Sequence, residues 1–304
     1  MDGIIIINKE KGWTSNDVVQ KVKYITKEKV GHTGTLDPHA TGVLPLLIGK
    51  GTCLSKYLIN HDKEYIATIK LGQKTDTADS EGTLIEEKEV NQEIFQKENI
   101  KNILKSFIGA QSQIPPIYSA IKLNGKKLYE YAREGKTPEI KPRNITIYDM
   151  DLIGFSAEDK EIKYRVKCSK GTYIRTLSED IACSLGTVGF MKELERVQVG
   201  EFFIEQAIKI SEVQEKFEEY FITIDKFFAN NEEVILNFKQ LSRLYNGVKL
   251  SIDKEDGIFR VCDENGQFVC VGVVENQKLK RDIWIKEQFW YCRVVVKSLY
   301  LYIL

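Results

Sequence analysis

Apolar positions in the first third of the chain repeat with the periods of strands and of amphipathic helices. The unbroken apolar run at residues 4–7 predicts a buried strand. Apolar positions at helical spacing between residues 18 and 25 predict a helix that Ser15 caps. Residues 64–72 alternate like a half-buried strand, and residues 94–109 carry the apolar stripe of a helix that ends at a glycine.

The remaining sequence adds more strands and one further helix. Three strand-like segments, NITIYDMDLIGF, EIKYRVKCS and RVQVGEFFI, surround a helix predicted from about residue 172 to residue 185. Together the elements predict an α+β fold built on a mixed, largely antiparallel sheet with flanking helices. Further along, short strand-like pieces are separated by the turn sequences DKEDG and ENG, which predicts a small all-β module.

These patterns also predict how the chain divides into domains. A chain of 304 residues, 42% of them hydrophobic, is long enough for a large domain and a small one. We assign residues 1–228 to the large domain, with an insert at about 112–146, and residues 232–282 to the small module. Residues 283–304 are rich in Trp, Tyr, Val and Leu, and they could form a final strand or an extension.

Charge, cysteine content and hydropathy then narrow the class of protein. The 44 basic and 44 acidic residues cancel, which argues against a strongly basic nucleic-acid binder, but residues 112–146 hold seven Lys and Arg against three acids. Six cysteines form no CxxC pair, so neither a zinc site nor a disulfide framework is indicated. The longest apolar run is far shorter than the roughly 20 residues of a membrane span, which predicts a soluble, cytoplasmic protein.

The segment GHTGTLDPHATGVLP at residues 31–45 is the strongest candidate for chemistry. Its glycines allow close backbone approach and Pro38 fixes the chain directly after Asp37, so the loop presents one carboxylate rigidly. A bare Leu-Asp-Pro would more often be an ordinary turn. His32 lies five residues before Asp37, but the chain has no HxH or HExxH spacing, and we predict no metal.

Four segments in the same order and at similar spacing resemble the TruB family of bacterial tRNA pseudouridine synthases. They are GHTGTLDPHATGVLPLLIG, KEYIATIKLGQKTDTADSEG, QIPPIYSAIKLNGKKLYEYAREG and CSKGTYIRTLSEDIA, and they span about the first two hundred residues. The resemblance implies isomerisation of uridine to pseudouridine at position 55, in the T-loop of tRNA. It implies a monomer that needs no cofactor, no protein partner and no membrane, with the T-arm of tRNA as its partner.

The resemblance also assigns roles to single residues of the uridine pocket. Asp37 corresponds to the catalytic nucleophile, which attacks either C6 of uracil or C1′ of ribose. Arg175 corresponds to the arginine that pairs with this aspartate, and Tyr65 to the tyrosine that stacks on the target base. Tyr173 matches a second tyrosine of the pocket. Leu194, at helical spacing from Phe190, matches a leucine that lines it.

Further family positions concern the RNA around the target base. His32 matches a histidine that fills the gap left by the flipped base, and Asp79 matches an acidic residue near the pocket. The insert combines cations with Tyr118, Tyr129 and Tyr131, a composition typical of segments that track RNA backbone and stack bases. Its cations are Lys122, Lys126, Lys127, Arg133 and Lys136.

The sequence departs from the family in one place, and two other functions stay open. Glu195 precedes Arg196 where the family usually has a basic pair, whereas residues 241–250 and the strands after them resemble a PUA-like RNA-binding module. A non-catalytic tRNA-binding or tRNA-folding protein could use the same RNA-facing residues. A carboxylate-dependent nucleoside hydrolase would need a second carboxylate as acid, and Asp79 is the nearby candidate.

Overall fold

The protein was analysed as a computed structural model that describes residues 1–285. Of the predicted tail at residues 283–304, Ile283 and Trp284 belong to a strand, and residues 286–304 lie outside the described part. Within residues 1–285, no helix combines the length and the apolar character that crossing a membrane requires.

Most of the described strands join one large sheet. In chain order the elements up to the insert are β1 (Gly3–Lys9), α1 (Ser15–Thr26), β2 (Val30–His32), β3 (Thr41–Ile48), α2 (Ser55–Leu58), β4 (Lys63–Leu71), β5 (Gln73–Thr75), β6 (Leu84–Glu87), α3 (Lys97–Ser106) and β7 (Gly109–Gln113). The insert holds β8 (Lys122–Leu123), β9 (Lys126–Lys127) and α4 (Leu128–Arg133). Then follow β10 (Arg143–Ser156), β11 (Glu161–Cys168), α5 (Ile174–Ser184), β12 (Gly189–Val199), β13 (Phe202–Phe203), β14 (Ile208–Lys209), α6 (Val213–Tyr220), β15 (Ile222–Thr223) and α7 (Ile224–Phe227).

The large sheet is mixed and largely antiparallel, which confirms the predicted fold class. Its main path is β14-β1-β3-β12-β4-β11-β10-β7, with β13, β15 and β2 paired beside it. Among the strands of residues 1–285, only the pairs β1–β14 and β3–β12 are parallel within this sheet. The parallel contact of β3 with β12 joins the strand that follows the Asp37 loop to the strand that carries Leu194.

The two faces of the large sheet carry separate cores, and this explains the apolar run of β1. Ile5 and Ile7 pack into a core shared with helices α1, α3 and α5. Ile4 and Ile6 pack on the other face. Because successive strand residues point to opposite faces, a strand covered on both sides must be apolar throughout.

A second sheet lies over the other face. It is formed by β16 (Glu233–Ile235), β17 (Leu250–Ser251), β18 (Gly257–Cys262), β19 (Phe268–Glu275) and β20 (Lys278–Trp284), in the order β16-β18-β19-β20-β17. One helix, α8 (Phe238–Tyr245), packs with it, so the predicted all-β module also contains a helical segment. Because Val271 and Ile283 belong to the same core as Ile4 and Ile6, the two sheets share buried surface.

Three details differ from the sequence-based expectation. Thr14, not Ser15, caps α1: its hydroxyl accepts from Asp17 N at 3.0 Å while the Asp17 carboxylate accepts from Thr14 N at 2.9 Å. Ser15 is the first helical residue, and its buried hydroxyl makes a tertiary contact described below. The helix predicted over 94–109 spans only Lys97–Ser106, and the helically spaced Phe190 and Leu194 both lie in strand β12.

Gly42, just after the Asp37 loop, lies very close to β12. Its φ is +102°, and a Cβ there would lie 2.2 Å from the carbonyl oxygen of Arg196. We expect Gly42→Ala to cost more than about 3 kcal/mol of unfolding free energy, since backbone strain and overpacking each cost about 1–3 kcal/mol. Urea unfolding measures this loss.

Gly12→Ala is the matched control for this substitution. Gly12 also has a positive φ, +89°, but a Cβ would meet no atom within 4 Å. The control should therefore lose only about 1–2 kcal/mol. Equal losses in the two variants would show that the approach to β12 is not tight.

Candidate active site

The backbone on both sides of Asp37 is fixed by contacts from the start of the chain. Leu36 accepts from the Ser15 hydroxyl through its carbonyl at 3.1 Å and donates to it through its N–H at 2.9 Å. The Pro38 carbonyl accepts from Gly12 N at 2.8 Å. The Asp37 side chain itself keeps 35% of its surface exposed. The loop therefore holds its backbone rigidly and leaves the carboxylate open to a cavity.

Lys9 closes the underside of this loop. Its side chain is fully buried, and Nζ donates to the carbonyls of Trp13 at 2.6 Å and of Pro38 at 3.1 Å. Burial lowers the pKa of Lys9 to about 8, and the negative charge of Asp37 works against that shift. Lys9 therefore places an ammonium group beneath the Asp37 loop, and its positive charge partly balances the negative charge of Asp37.

Arg175 joins the Asp37 loop to three other segments. Its Nε lies 3.3 Å from Asp37 Oδ2, and its Nη1 lies 3.4 Å from Asp79 Oδ2. Nη1 also donates to the Thr77 carbonyl at 3.3 Å, and Nη2 donates to the Tyr118 carbonyl at 2.8 Å. Because only 7% of the side chain is exposed, these acceptors replace water around the guanidinium. The guanidinium plane, and with it the Asp37 carboxylate, has a fixed orientation.

Asp79 takes part in this network from a buried position. Its second oxygen, Oδ1, accepts from the Thr77 hydroxyl at 2.6 Å and from Glu81 N at 3.1 Å. Both oxygens are therefore engaged by donors from the protein. A carboxylate so occupied is poorly placed to protonate a leaving group, which disfavours Asp79 as the acid of a hydrolase.

Tyr65 and Arg196 form a second buried unit on the other side of Asp37. Tyr65 lies in β4 and is 8% exposed, and burial raises the pKa of its phenol to about 12. Its hydroxyl faces the guanidinium of Arg196, which is 1% exposed. Arg196 Nε donates to the Val43 carbonyl at 2.8 Å, and Nη2 donates to the Gly34 carbonyl at 3.0 Å. Arg196 thus connects the tyrosine to Gly34 and Val43, on either side of Asp37 in the sequence.

Sequence reasoning did not find this role of Arg196, nor the place of Lys63. The family resemblance pointed to Glu195, which replaces one member of a basic pair. It gave no role to Arg196, the member that remains. The sequence signal for this role was the position of Arg196 in a half-buried strand pattern. A charged residue is almost never fully buried without partners, so an arginine at such a position indicates a buried contact. Lys63 lies two residues before Tyr65, lines the same cavity, and has its pKa lowered to about 8 by burial.

These groups surround one cavity of about 670 Å³. Tyr173, directly before α5, and Leu194, in β12, both line it. The insert closes one side through Ser119 and Tyr129. The cavity thus has a carboxylate, aromatic rings and an apolar side chain around a space of the size that small-molecule sites have. Its lining includes Asp37, Tyr65, Tyr118, Tyr173, Arg175 and Leu194.

His32 lies beside the cavity without lining it. It ends β2, one residue before Thr33, the first lining residue of the loop. Its Nδ1 is buried and has no hydrogen-bond partner within residues 1–285. Burial lowers the pKa of His32, with the nearby charge of Arg196 acting in the same direction, so the ring is neutral at neutral pH.

A histidine other than His32 lies next to the carboxylates. In the described part of the chain, donor atoms of Asp37, His39 and Asp79 come within 4.8 Å of one another. The Arg175 guanidinium already contacts both of these carboxylates, so a dication would have to displace it or share its space. The three residues therefore fit a resident metal poorly, and the absence of a metal stays a prediction.

The cations of the insert lie on its outer surface, interleaved with tyrosine rings. Lys126 Nζ is 4.9 Å from the centre of the Tyr131 ring, and Lys127 and Arg133 both lie over Tyr129, at 5.4 and 5.3 Å. Lys136 pairs with Glu134 at 3.0 Å, and Lys122 is exposed on β8. Since Tyr129 also lines the cavity, this surface is continuous with the site.

Comparison with known proteins gives consistent results. Residues 22–174 match the family model described as TruB family pseudouridylate synthase (N terminal domain). A protein named tRNA pseudouridine synthase B from Francisella philomiragia is 42% identical over 299 residues, which cover 94% of this chain and 98% of that protein. The protein of the same name from Francisella tularensis subsp. tularensis is 42% identical over 92% of this chain and 93% of its own length.

Solved structures show similarity in fold. The chain resembles a structure of an H/ACA RNP bound to a substrate RNA containing 2′-deoxyuridine, with a TM-score of 0.67 and 21% identity over 94% of this chain and 86% of the other. It also resembles a Cbf5-Nop10-Gar1 complex, with a TM-score of 0.64 and 23% identity over 93% and 84% of the two chains.

The buried contacts of Arg196 predict a large effect on stability. We expect Arg196→Met to lose at least about 3 kcal/mol of unfolding free energy, because the Gly34 carbonyl, the Val43 carbonyl and the Tyr65 hydroxyl lose their partner, and each unsatisfied buried group costs about 1–3 kcal/mol. Urea unfolding of the variant and of the unaltered protein measures the difference.

Arg165→Met on the neighbouring strand β11 serves as the control. The Arg165 side chain is 42% exposed and pairs with the exposed Asp149 and Asp151 and with the half-buried Glu64, so its loss should change stability by less than about 1 kcal/mol. If Arg196→Met costs no more than this control, the contacts of Arg196 with the loop are not stabilising.

Proposed function

This chain belongs to the TruB family of pseudouridylate synthases, and we propose that it converts uridine to pseudouridine at position 55, in the T-loop of tRNA. The observation that carries the proposal is the part-exposed Asp37 carboxylate, paired with the buried Arg175 inside a cavity lined by tyrosines. The names of the relatives support tRNA as substrate.

The target base must leave its stack to reach Asp37, because a paired and stacked uridine exposes neither C6 nor C1′ to a side chain. In the proposed complex the flipped uracil enters the cavity between Tyr65 and Tyr173, and Leu194 contacts its edge. Tyr65 suits this role because its hydroxyl is held by Arg196 and its phenol stays neutral. His32, beside the cavity mouth, fills the space that the base leaves in the RNA.

Asp37 then acts as the nucleophile. Attack at C6 of uracil or at C1′ of ribose leads to cleavage of the N1–C1′ bond, rotation of the uracil and formation of the C5–C1′ bond. The proton at C5 is lost, N1 gains one, and Asp37 is released unchanged. Reactant and product have the same atoms and oxidation state, so the step requires no redox cofactor. Arg175 balances the charge of the carboxylate and holds it in line.

The proposed RNA contacts extend beyond the cavity. We assign backbone binding to the cations of the insert, and we assign the module at residues 232–282 to PUA-like RNA binding. We assign the reaction to a monomer. We place the enzyme in the cytoplasm, with its tRNA substrate.

The reaction can be tested with tRNA that carries tritium at C5 of uracil. The unaltered protein should release one tritium per tRNA into water, because C5 exchanges its hydrogen for the bond to C1′. Asp37→Asn should slow release by at least about a thousandfold, since no other group can replace the nucleophile. The control Asp159→Asn, in the turn between β10 and β11, should leave the rate unchanged.

Three other outcomes would contradict the proposal. Tritium release from a tRNA with cytidine at position 55 would place the target elsewhere. Free uracil as product would identify a nucleoside hydrolase. Tight tRNA binding without release by the unaltered protein would identify a non-catalytic tRNA-binding protein.

The insert can be tested through the salt dependence of tRNA binding. Removing two cations with Lys122→Ala and Lys127→Ala should reduce the slope of log affinity against log salt by about two, because each cation on a phosphate releases about one counterion. The control pair Lys105→Ala and Lys216→Ala, on α3 and α6, should leave the slope unchanged. Equal slopes in both double variants would exclude the insert from backbone binding.

A further inference from the structure

A short segment at the beginning of the insert, Gln113–Tyr118, leads away from the edge strand β7 and contacts the start of α5 at both of its ends. The start of α5 is where Tyr173 and Arg175 are positioned. We call this segment the strap. Apart from Tyr118, whose side chain lines the cavity, none of its side chains has been given a role above.

The first contact is a pair of hydrogen bonds from the Gln113 side chain. Its Oε1 accepts from Tyr173 N at 2.8 Å, and its Nε2 donates to the Tyr173 carbonyl at 3.1 Å. Tyr173 has extended backbone angles, φ −100° and ψ 111°, and the amide pairs with it as a neighbouring strand would. Gln113 is 5% exposed, so water does not compete for either bond. The amide fixes the residue from which α5 begins.

The second contact lies at the other end of the strap. The Tyr118 carbonyl accepts from Arg175 Nη2 at 2.8 Å, which is the shortest of the four polar contacts described for this guanidinium. Pro115 and Pro116 lie between the two contacts, and each fixes its own φ at about −65°. Because the strap has few free torsions, the position of Gln113 determines the position of the Tyr118 carbonyl.

We propose that Gln113 is a positioning residue for the reaction, because its amide pairs with the Tyr173 backbone while the strap that begins at Gln113 brings the Tyr118 carbonyl onto Arg175. Gln113 itself does not touch the uridine. It sets the place of Tyr173 directly, and the angle of the guanidinium that orients Asp37 through Tyr118. This inference rests on the proposed function, since it concerns the same site.

The first test replaces the amide with an apolar group of similar size. Gln113→Leu should lower kcat for tritium release by about 10- to 100-fold, because a displacement of about 1 Å at a reacting group costs up to about a hundredfold. KM for tRNA should change by less than about threefold, since the cations of the insert are unchanged. Gln111→Leu is the control: Gln111 lies on the same strand, and its amide donates to Phe107 O at 2.7 Å, away from α5.

The second test makes the same contact depend on pH and applies even if Gln113→Leu does not fold. In Gln113→Glu, the protonated acid can donate to the Tyr173 carbonyl, whereas the ionised form turns an oxygen towards that carbonyl and repels it. The ratio of the variant rate to the unaltered rate should therefore be about tenfold higher at pH 5.5 than at pH 8, because burial keeps such an acid protonated above its usual pKa of about 4.3.

Two results would overturn the inference. One is a kcat of Gln113→Leu within about twofold of the unaltered protein. The other is a rate ratio for Gln113→Glu that is flat with pH. Tritium release by the unaltered protein is measured in the same series, so failure of this inference is distinguished from failure of the proposed function, in which the unaltered protein itself releases no tritium.

Discussion

The ion pair of Arg175 with Asp37 requires a buried guanidinium, and a buried guanidinium is stable only where acceptors replace its water. Three segments of the chain supply them to the arginine on α5: the Asp37 loop, the Thr77 and Asp79 turn, and the strap at Tyr118. These segments must meet at one point for the site to exist. The strand order of the large sheet and the path of the insert both satisfy that requirement.

Arg196 is a second buried arginine whose guanidinium is surrounded by acceptors from the protein. Its guanidinium binds two backbone carbonyls of the loop and faces one phenol, and it has no carboxylate partner among the contacts described for it. The two arginines therefore differ in function. Arg175 orients the carboxylate that we propose as the nucleophile, whereas Arg196 contacts the loop backbone and the Tyr65 hydroxyl. A positive charge near Tyr65 and the loop also favours the approach of an anionic RNA.

Local sequence patterns predicted the elements that are determined by the spacing of apolar residues along the chain, such as β1, β4 and α5. They also predicted the largely antiparallel sheet. These patterns were less successful where a contact with a residue distant in sequence determines the role of a side chain. Thr14 and Ser15 are both good capping residues, and Ser15 is taken up by Leu36, which is distant in sequence. Arg196 and Gln113 were missed for a related reason. Their partners are backbone groups 60 to 162 residues away, and a backbone group carries no residue type that a motif could display.

The zero net charge of the chain is compatible with an RNA substrate because the charges are segregated. Lys63, Arg143 and Lys170 line the cavity, and the insert adds its cations beside it, whereas α6, which packs against β1, carries mainly acids. A polyanion is attracted to the first surface and repelled by the second, so the field orients the RNA as well as binding it. Segregated charge thus favours the one approach that brings a phosphate-linked uridine to Asp37, and a uniformly basic surface would bind RNA in many unproductive orientations.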